Sequence, residues 1–432
     1  MNYSETLRRI HSLNKFGSRP GLDRVRMLLD MMDNPQDGLR FLHVAGTNGK
    51  GSTCAMVSSV LRSAGYKTGL FISPFITDFC ERIQIDNTPI SHEDLCEVAG
   101  YCFSFVEKLN RQGIIITEFE FVMSVAFEYF KRQGCDIVVL EVGLGGTLDC
   151  TNVIKPPECA VITRIGLDHT DILGNSFESV AAQKCGIIKE GTPVVSSPQR
   201  VQAQKVIENT CREKNVPLVF SNPELLKVTV DSVEGTQFTY NGKEYRINLT
   251  GEHQIQNAST ALCVIETLRE KGYGISDENI REGLLTAVNP ARFELICSAP
   301  AVIIDGAHNP DGVSAFAKSV RKYFGEKKGV LIIGMLSDKD SRASVEYLKG
   351  LFQKAYTVPI NNPRAESPER MAEICSAYFE DVEVTGSAEE AFRKALALAK
   401  TQGTFLCVCG SLYLAGEIRP YGIKCCKELQ GE

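Results

Sequence analysis

The run HVAGTNGKGST, residues 43–53, gathers the groups needed to hold a phosphate. Gly46, Gly49 and Gly51 let backbone N–H groups curl around oxygen atoms, because positive φ costs glycine little. A helix beginning there adds free amides and its dipole. Lys50 brings a positive charge suited to β- and γ-phosphates, and Ser52 or Thr53 offers a hydroxyl to Mg2+. The strict phosphate-loop pattern fails at two points. Val44 stands where a glycine is required, and Gly51 separates Lys50 from Ser52. A glycine turn capping a helix, with Lys50 in solvent, is the plainer alternative. The strand-turn-helix setting favours phosphate binding.

In open α/β sheets ligands collect at the carboxyl ends of strands. Ser73 follows TGLFI, Glu141 ends DIVVL, and His169 follows VITRIGLD. A carboxylate and a hydroxyl suit Mg2+, while an imidazole is an unusual third donor. Ordinary readings stand beside these. Ser73 before Pro74 reads equally as a turn residue, and His169 as a capped loop residue. Glu141 needs a partner, since a carboxylate at the end of an apolar strand is costly alone. Lys184 has small or apolar neighbours, Ala181, Ala182, Cys185, Gly186 and Ile187, which points to partial burial. Further along, IIDGAHNPDG puts Asp305, His308 and Asn309 directly after a buried strand. Asn-Pro turn chemistry accounts for Asn309 but not for the acid and the imidazole. Arg292, in NPARFE, lies where a guanidinium can reach a nucleotide held between domains.

The elements that must position these groups follow from the pattern. The chain has 432 residues, which predicts two domains. Strand-like and helix-like runs alternate, as in a mostly parallel sheet covered by helices. FLHVAG, TGLFIS, CDIVVLEVG and CAVITRIG read as strands, and the continuous apolar runs suit buried parallel ones. Thr117 with Glu120 forms a capping box that opens a helix, and Ser176 caps another that runs to about Lys189. Polar β-like runs between 216 and 250 predict an inserted antiparallel hairpin. AVNPAR (287–292) reads as the linker. Five strand-like runs after it predict a five-strand doubly wound unit. The expected architecture is α/β throughout. A P-loop ATPase-like parallel-sheet domain spans 1–290, and a smaller Rossmann-like doubly wound domain spans 291–432.

Composition narrows the class. Lys and Arg number 47 against 53 Asp and Glu, a net charge of −6, which argues against nucleic acid as a partner. Sixteen cysteines without a CxxC pair fit a reducing compartment, hence a cytoplasmic protein. No run approaches the ~20 apolar residues of a membrane helix. The N-terminus lacks an apolar signal core, so no signal peptide is expected.

Taken together, HVAGTNGKGST, FISPF with ERIQID, TEFE, EVGLGGTLDCTNV, ITRIGLDHTDILG, AAQKCGIIK, GEHQIQNAS, IIDGAHNPDG and GSLYLAGEIR resemble folylpolyglutamate synthase and dihydrofolate synthase, a branch of the Mur-type amide ligases. The motifs keep the family's order from 14 to 418. The resemblance implies that ATP phosphorylates the terminal carboxylate of a folate, or of dihydropteroate, and that the amine of glutamate displaces the phosphate. It implies ATP and Mg2+ as cofactors, with a monovalent cation beside them. By the same resemblance Asn48, Gly49, Lys50, Gly51 and Ser52 hold the phosphates. Ser73, Glu141 and His169 ligate magnesium. Lys184 is the carbamylated lysine, whose carbamate helps to position a second Mg2+. Asn257, Arg292 and Asp305 contact nucleotide, and His308 lies near the γ-phosphate or the incoming glutamate. Thr117, Phe119, Glu120, Leu148 and Asp149 face the pterin.

Three positions depart from the family's habit. Thr147 stands where Arg or Lys is frequent, Gln183 where an acid is frequent, and Ala291 where Gly is frequent. Small-molecule substrates and a monomer are expected. The alternatives are a Mur-type ligase acting on another carboxylate, or a regulatory ATPase without ligation. A peptidoglycan-type ligase is disfavoured by the short stretch before residue 46. A switch has no need of the second chemical loop at Asp305.

Overall fold

A computed structural model describes residues 1–13 and 21–430; Asn14, where the family likeness begins, lies outside them. The first sheet holds β1 (Phe41–Ala45), β2 (Thr68–Phe71), β3 (Ile83–Ile85), β4 (Thr88–Pro89), β5 (Ile137–Glu141), β6 (Cys159–Ile162), β7 (Val194–Ser196) and β8 (Leu218–Phe220). Their order across the sheet is β4-β3-β2-β5-β1-β6-β7-β8. All pairs are parallel except those of β3 with β2 and with β4. Strands β1, β2, β5 and β6 are buried at every residue, as their unbroken apolar runs require. In register, Val44 pairs with Glu141 and with Val161. The loops after β1, β5 and β6 therefore leave the sheet at one level.

The helix Lys50–Ser63 is buried along most of its length. Helices Glu252–Glu270 and Asp277–Thr286 pack on it. A Cβ added at Gly283 would stand 2.4 Å from Val60 Cα, so the second contact depends on a bare backbone. This burial holds the start of the helix rigidly at the end of β1.

Before residue 290 two expectations need correction. The polar segment before 250 forms three antiparallel strands, β9 (Lys227–Ser232), β10 (Gly235–Tyr240) and β11 (Lys243–Ile247), while β8 joins the main sheet. The helix capped by Ser176 ends at Cys185, not near Lys189. There Gly186 meets Thr147, whose Cα would lie 2.4 Å from an added Cβ, and the chain turns away.

The second sheet has six strands, not five: β12 (Glu294–Ser298), β13 (Ala301–Ile304), β14 (Gly329–Ile333), β15 (Phe352–Thr357), β16 (Asp381–Val384) and β17 (Leu406–Cys409). Their order is β12-β13-β17-β14-β15-β16. The additional strand β12 is antiparallel to β13 and only half-buried, so it lacks the apolar signature of its neighbours. Polar bonds tie the chain before residue 290 to the chain after it. Thr250 Oγ1 donates to Phe293 O at 2.7 Å, and Tyr323 Oη donates to Asp231 Oδ1 at 2.8 Å.

Candidate active site

The phosphate-type loop is pinned from behind. Thr47 N and Asn48 N donate to Arg164 O at 3.0 and 3.1 Å, which fixes its path. Gly49 has φ of 91°, and a Cβ there would stand 2.3 Å from Asn257 Oδ1. Only glycine fits, and Asn257, for which the resemblance implied a nucleotide contact, lies against the loop. Two lysines converge on one carbonyl. Lys50 Nζ donates to Gly46 O at 3.1 Å, and Lys184 Nζ donates to it at 2.8 Å. Lys184 is only 4% exposed. Burial, and after it the charge of Lys50, lowers its pKa from 10.5 to about 7. A neutral amine is thus available near neutral pH, the form that reacts with CO2. Ser52 Oγ accepts from Asn289 Nδ2 at 2.9 Å, a partner the sequence reading missed.

Glu141 is buried, and its Oε2 accepts the N–H of Ser73 at 3.2 Å. Lys50 Nζ lies 3.9 Å from its Oε1. Burial raises the Glu141 pKa, while Lys50, the Ser73 amide and Arg292 oppose the rise. Arg82 donates to Ser73 Oγ at 3.4 Å, and its Nε has no partner among the described residues. A cleft of about 60 Å3 opens here, lined by Gly51, Ser73, Glu81, Glu141, Asn289 and Arg292 among others. Glu81 shapes its wall by accepting the N–H groups of Ile76, Thr77 and Asp78 at 2.7, 3.2 and 3.2 Å. The sequence signal for Arg82 and Glu81 was their place in ERIQID, where no role was assigned to them.

The oxygen donors Ser73 and Glu141 stand together and fit a hard divalent cation, with Ser52 close by. His169 does not join them in bonding contact. It is exposed, with φ of 48°, and its side-chain partner is Asp168 at 3.8 Å. No hydrogen bond or ion pair links it to Glu141 among the described residues.

The residues assigned to the pterin side divide. Glu120 Oε2 accepts Thr117 N and Oγ1 at 2.8 and 2.9 Å, and Arg24 pairs with Oε1 at 2.9 Å. This acid caps a helix and anchors the preceding chain. Asp149 Oδ1 accepts Thr151 N and Oγ1 at 3.0 and 2.6 Å, and Oδ2 accepts Leu144 N at 2.8 Å. It braces the loop after β5, and buried His43 extends the network with Nε2 2.9 Å from Thr151 Oγ1. Phe119 packs where a Cβ on Gly143 would be 2.5 Å from its ring. Leu148 is 49% exposed. Thr147, lacking the frequent cation, donates N–H and hydroxyl to Gln183 O at 2.9 and 3.0 Å.

At the second loop Asp305 accepts Phe293 N and Ala307 N, each at 2.7 Å. Burial pushes its pKa up to about 6, against the pull of Arg292 and these two amides. His308 Nδ1 lies 2.9 Å from Gly306 O, so that nitrogen carries the proton. Burial lowers the pKa of this imidazole. Asn309 caps the helix Pro310–Phe324. Ala291 and Phe293 flank Arg292 at φ of 54° and 51°. The family's frequent glycine at the first of these has a plain steric reason.

Known proteins share this layout. The Mur ligase middle domain matches residues 44–265, and the Mur ligase, glutamate ligase domain matches 291–412. Those matches define a Mur-type, ATP-dependent ligase. The folylpolyglutamate synthase of Lacticaseibacillus casei is 35% identical over 97% of this chain and 98% of its own length. The dihydrofolate synthase/folylpolyglutamate synthase of Bacillus subtilis is 34% identical over 96% and 98%. A Mycobacterium tuberculosis folylpolyglutamate synthase structure, complexed with ADP and AMPPCP, superposes with a TM-score of 0.86, at 29% identity over 98% and 99%. The chain belongs to the folylpolyglutamate synthase/dihydrofolate synthase family.

Proposed function

We propose that this chain joins L-glutamate to the terminal carboxylate of tetrahydrofolate, and also to dihydropteroate, through an acyl phosphate. The observation that carries this reading is a glycine loop with two lysines on Gly46 O, one of them 3.9 Å from buried Glu141, which lines a cleft with Gly51 and Arg292. Carboxylates resist amines, and phosphorylation creates a leaving group. Asn48, Gly49, Lys50, Gly51 and Ser52 hold the phosphates, Asn257 and Arg292 contact the nucleotide, and Asp305 serves that contact by positioning Arg292. Arg292 lines the cleft and draws on the charge of Asp305. Lys50 offsets negative charge that gathers during transfer. His308, with Nε2 unprotonated, lies by the incoming glutamate.

Ser73 and Glu141 hold Mg2+, which supplies charge neutralisation at the transferring phosphoryl group. His169 joins them only if its loop turns inward. Lys184 carries a carbamate, whose remaining N–H can keep the bond to Gly46 O. Phe119 and Leu148 contact the pterin. Thr117, Glu120 and Asp149 position that wall. The domain boundary lies at 290/291, and the protein works as a cytoplasmic monomer. All sixteen cysteines being free thiols supports the compartment. No helix among the described residues is long and apolar enough to cross a membrane.

The test is ADP release with Mg-ATP and glutamate, with and without each pteroyl acceptor. Release that requires both glutamate and an acceptor supports the reading, and the accepted compound names the activity. Release without an acceptor, or none at all, overturns it.

A further inference from the structure

Away from the cleft, three side chains of different chemistry converge. Asp78 begins the turn Phe79–Arg82, Cys80 lies within that turn, and His92 opens the helix His92–Arg111. One ligand atom from each lies within 4.8 Å of the others. Asp78 Oδ1 is held by Tyr3 Oη at 3.0 Å and by Cys80 N at 2.8 Å. This turns Oδ2 toward His92 Nε2, at 3.4 Å. The Tyr3 ring stacks on the imidazole at 3.6 Å and 9°, fixing its plane. Cys80 is buried, with Sγ 3.8 Å from Tyr3 Oη. Bonds of about 2.0 Å from N and O to a tetrahedral zinc put the donors about 3.3 Å apart. The observed 3.4 Å between Asp78 and His92 matches that edge.

We propose that Asp78, Cys80 and His92 form a binding site for a borderline divalent cation of the Zn2+ type, with water as fourth ligand. A thiolate, an imidazole and a carboxylate select such an ion over Mg2+. Binding removes the Cys80 thiol proton to solvent and forms the metal–sulfur bond. The ion ties together three segments, through Tyr3, the 78–82 turn and the helix from His92. Because Glu81 in that turn lines the cleft, the site stiffens one wall of the ligase centre without belonging to it.

The test is Co2+ titration of the full-length, chelator-treated protein in excess Mg2+, followed by absorption. One equivalent with a sulfur-to-cobalt charge-transfer band and strong tetrahedral visible bands is expected. Cys80→Ser must abolish the charge-transfer band, and His92→Ala must weaken affinity by more than about tenfold. No such band, or the same band in Cys80→Ser, overturns the proposal. His92 is a surface side chain, so His92→Ala decides even where Cys80→Ser fails to fold: unchanged Co2+ affinity rejects the site.

Discussion

The loops at 46–51 and 305–309 both follow buried strands, yet they are built from opposite materials. The first is glycine and amine: Lys50, which carries the charge, and buried Lys184 meet on Gly46 O. The second is organised by an acid, because Asp305 accepts Phe293 N and Ala307 N and faces Arg292. The first loop presents positive charge and amides directly to a ligand. The second has most of its anionic capacity taken up internally, and so positions Arg292 rather than binding anions itself. Direct contact and indirect positioning should separate in the size and kind of their mutational effects.

The largest effect is expected beside the first loop. Glu141→Ala leaves Lys50 without its nearby carboxylate and removes the oxygen donor next to Ser73. Ligation should fall by a hundredfold to a thousandfold or more, roughly the loss seen when one charge-stabilising group leaves a reacting centre. Circular dichroism should be unchanged. Near-normal ADP release would take Glu141 out of the site.

Next comes Lys184→Ala, which should lose most activity and regain part of it with short carboxylates that replace the carbamate. The wild-type rate should climb through pH about 7, as the buried amine becomes neutral. Stability has the same sign. From about 7 to 10.5 the folded amine is neutral while the unfolded one stays protonated. The unfolded state then binds more protons, so stability rises with pH across that window. Lys184→Ala should flatten this rise in urea midpoints measured against pH. A slope equal to wild type would place the amine in water.

Asp305→Asn tests the indirect loop. Asn keeps one acceptor, loses the charge facing Arg292, and leaves Phe293 N or Ala307 N weakly held. KM for ATP should rise by about tenfold, with kcat changing less, as when binding shared by ground and transition states is removed. Initial rates against ATP concentration check this. A fall in kcat alone would move Asp305 into the chemistry.

The contrast between the loops also marks what could be read from the chain. Glycine spacing and the helix after it are local, so the first loop was legible, and so was burial of Lys184 among small residues. Long-range pairings were not. The Arg24–Glu120 pair spans 96 residues, so the chain alone could not show that Glu120 also anchors the segment before it. Strand β12 hid because a half-buried edge carries no apolar run. The strand-end rule marked Ser73, Glu141 and His169 alike, but it cannot tell that one side chain turns to solvent. The 78–80–92 cluster escaped because His92 belongs to a different element from the turn that holds Asp78 and Cys80.

The smallest effect concerns Ala291, the residue where this chain departs from a frequent glycine. Holding Ala at φ of 54° costs roughly 1–2 kcal/mol relative to a relaxed backbone. Replacing it by Gly relieves that strain. The same change removes a fully buried methyl, worth about 0.8 kcal/mol, and frees the unfolded chain by about 0.5–1 kcal/mol. The terms oppose each other, so Ala291→Gly should move the urea midpoint by no more than about 1 kcal/mol of stability in either direction. KM for ATP should stay within about twofold, because the Ala291 N–H still donates to Glu294 Oε2, bonded at 2.9 Å, and Arg292 keeps its place. A large rise in KM without loss of stability would mean that the methyl itself, not the backbone turn, sets the reach of Arg292. The second loop's control over Arg292 would then run through packing rather than charge.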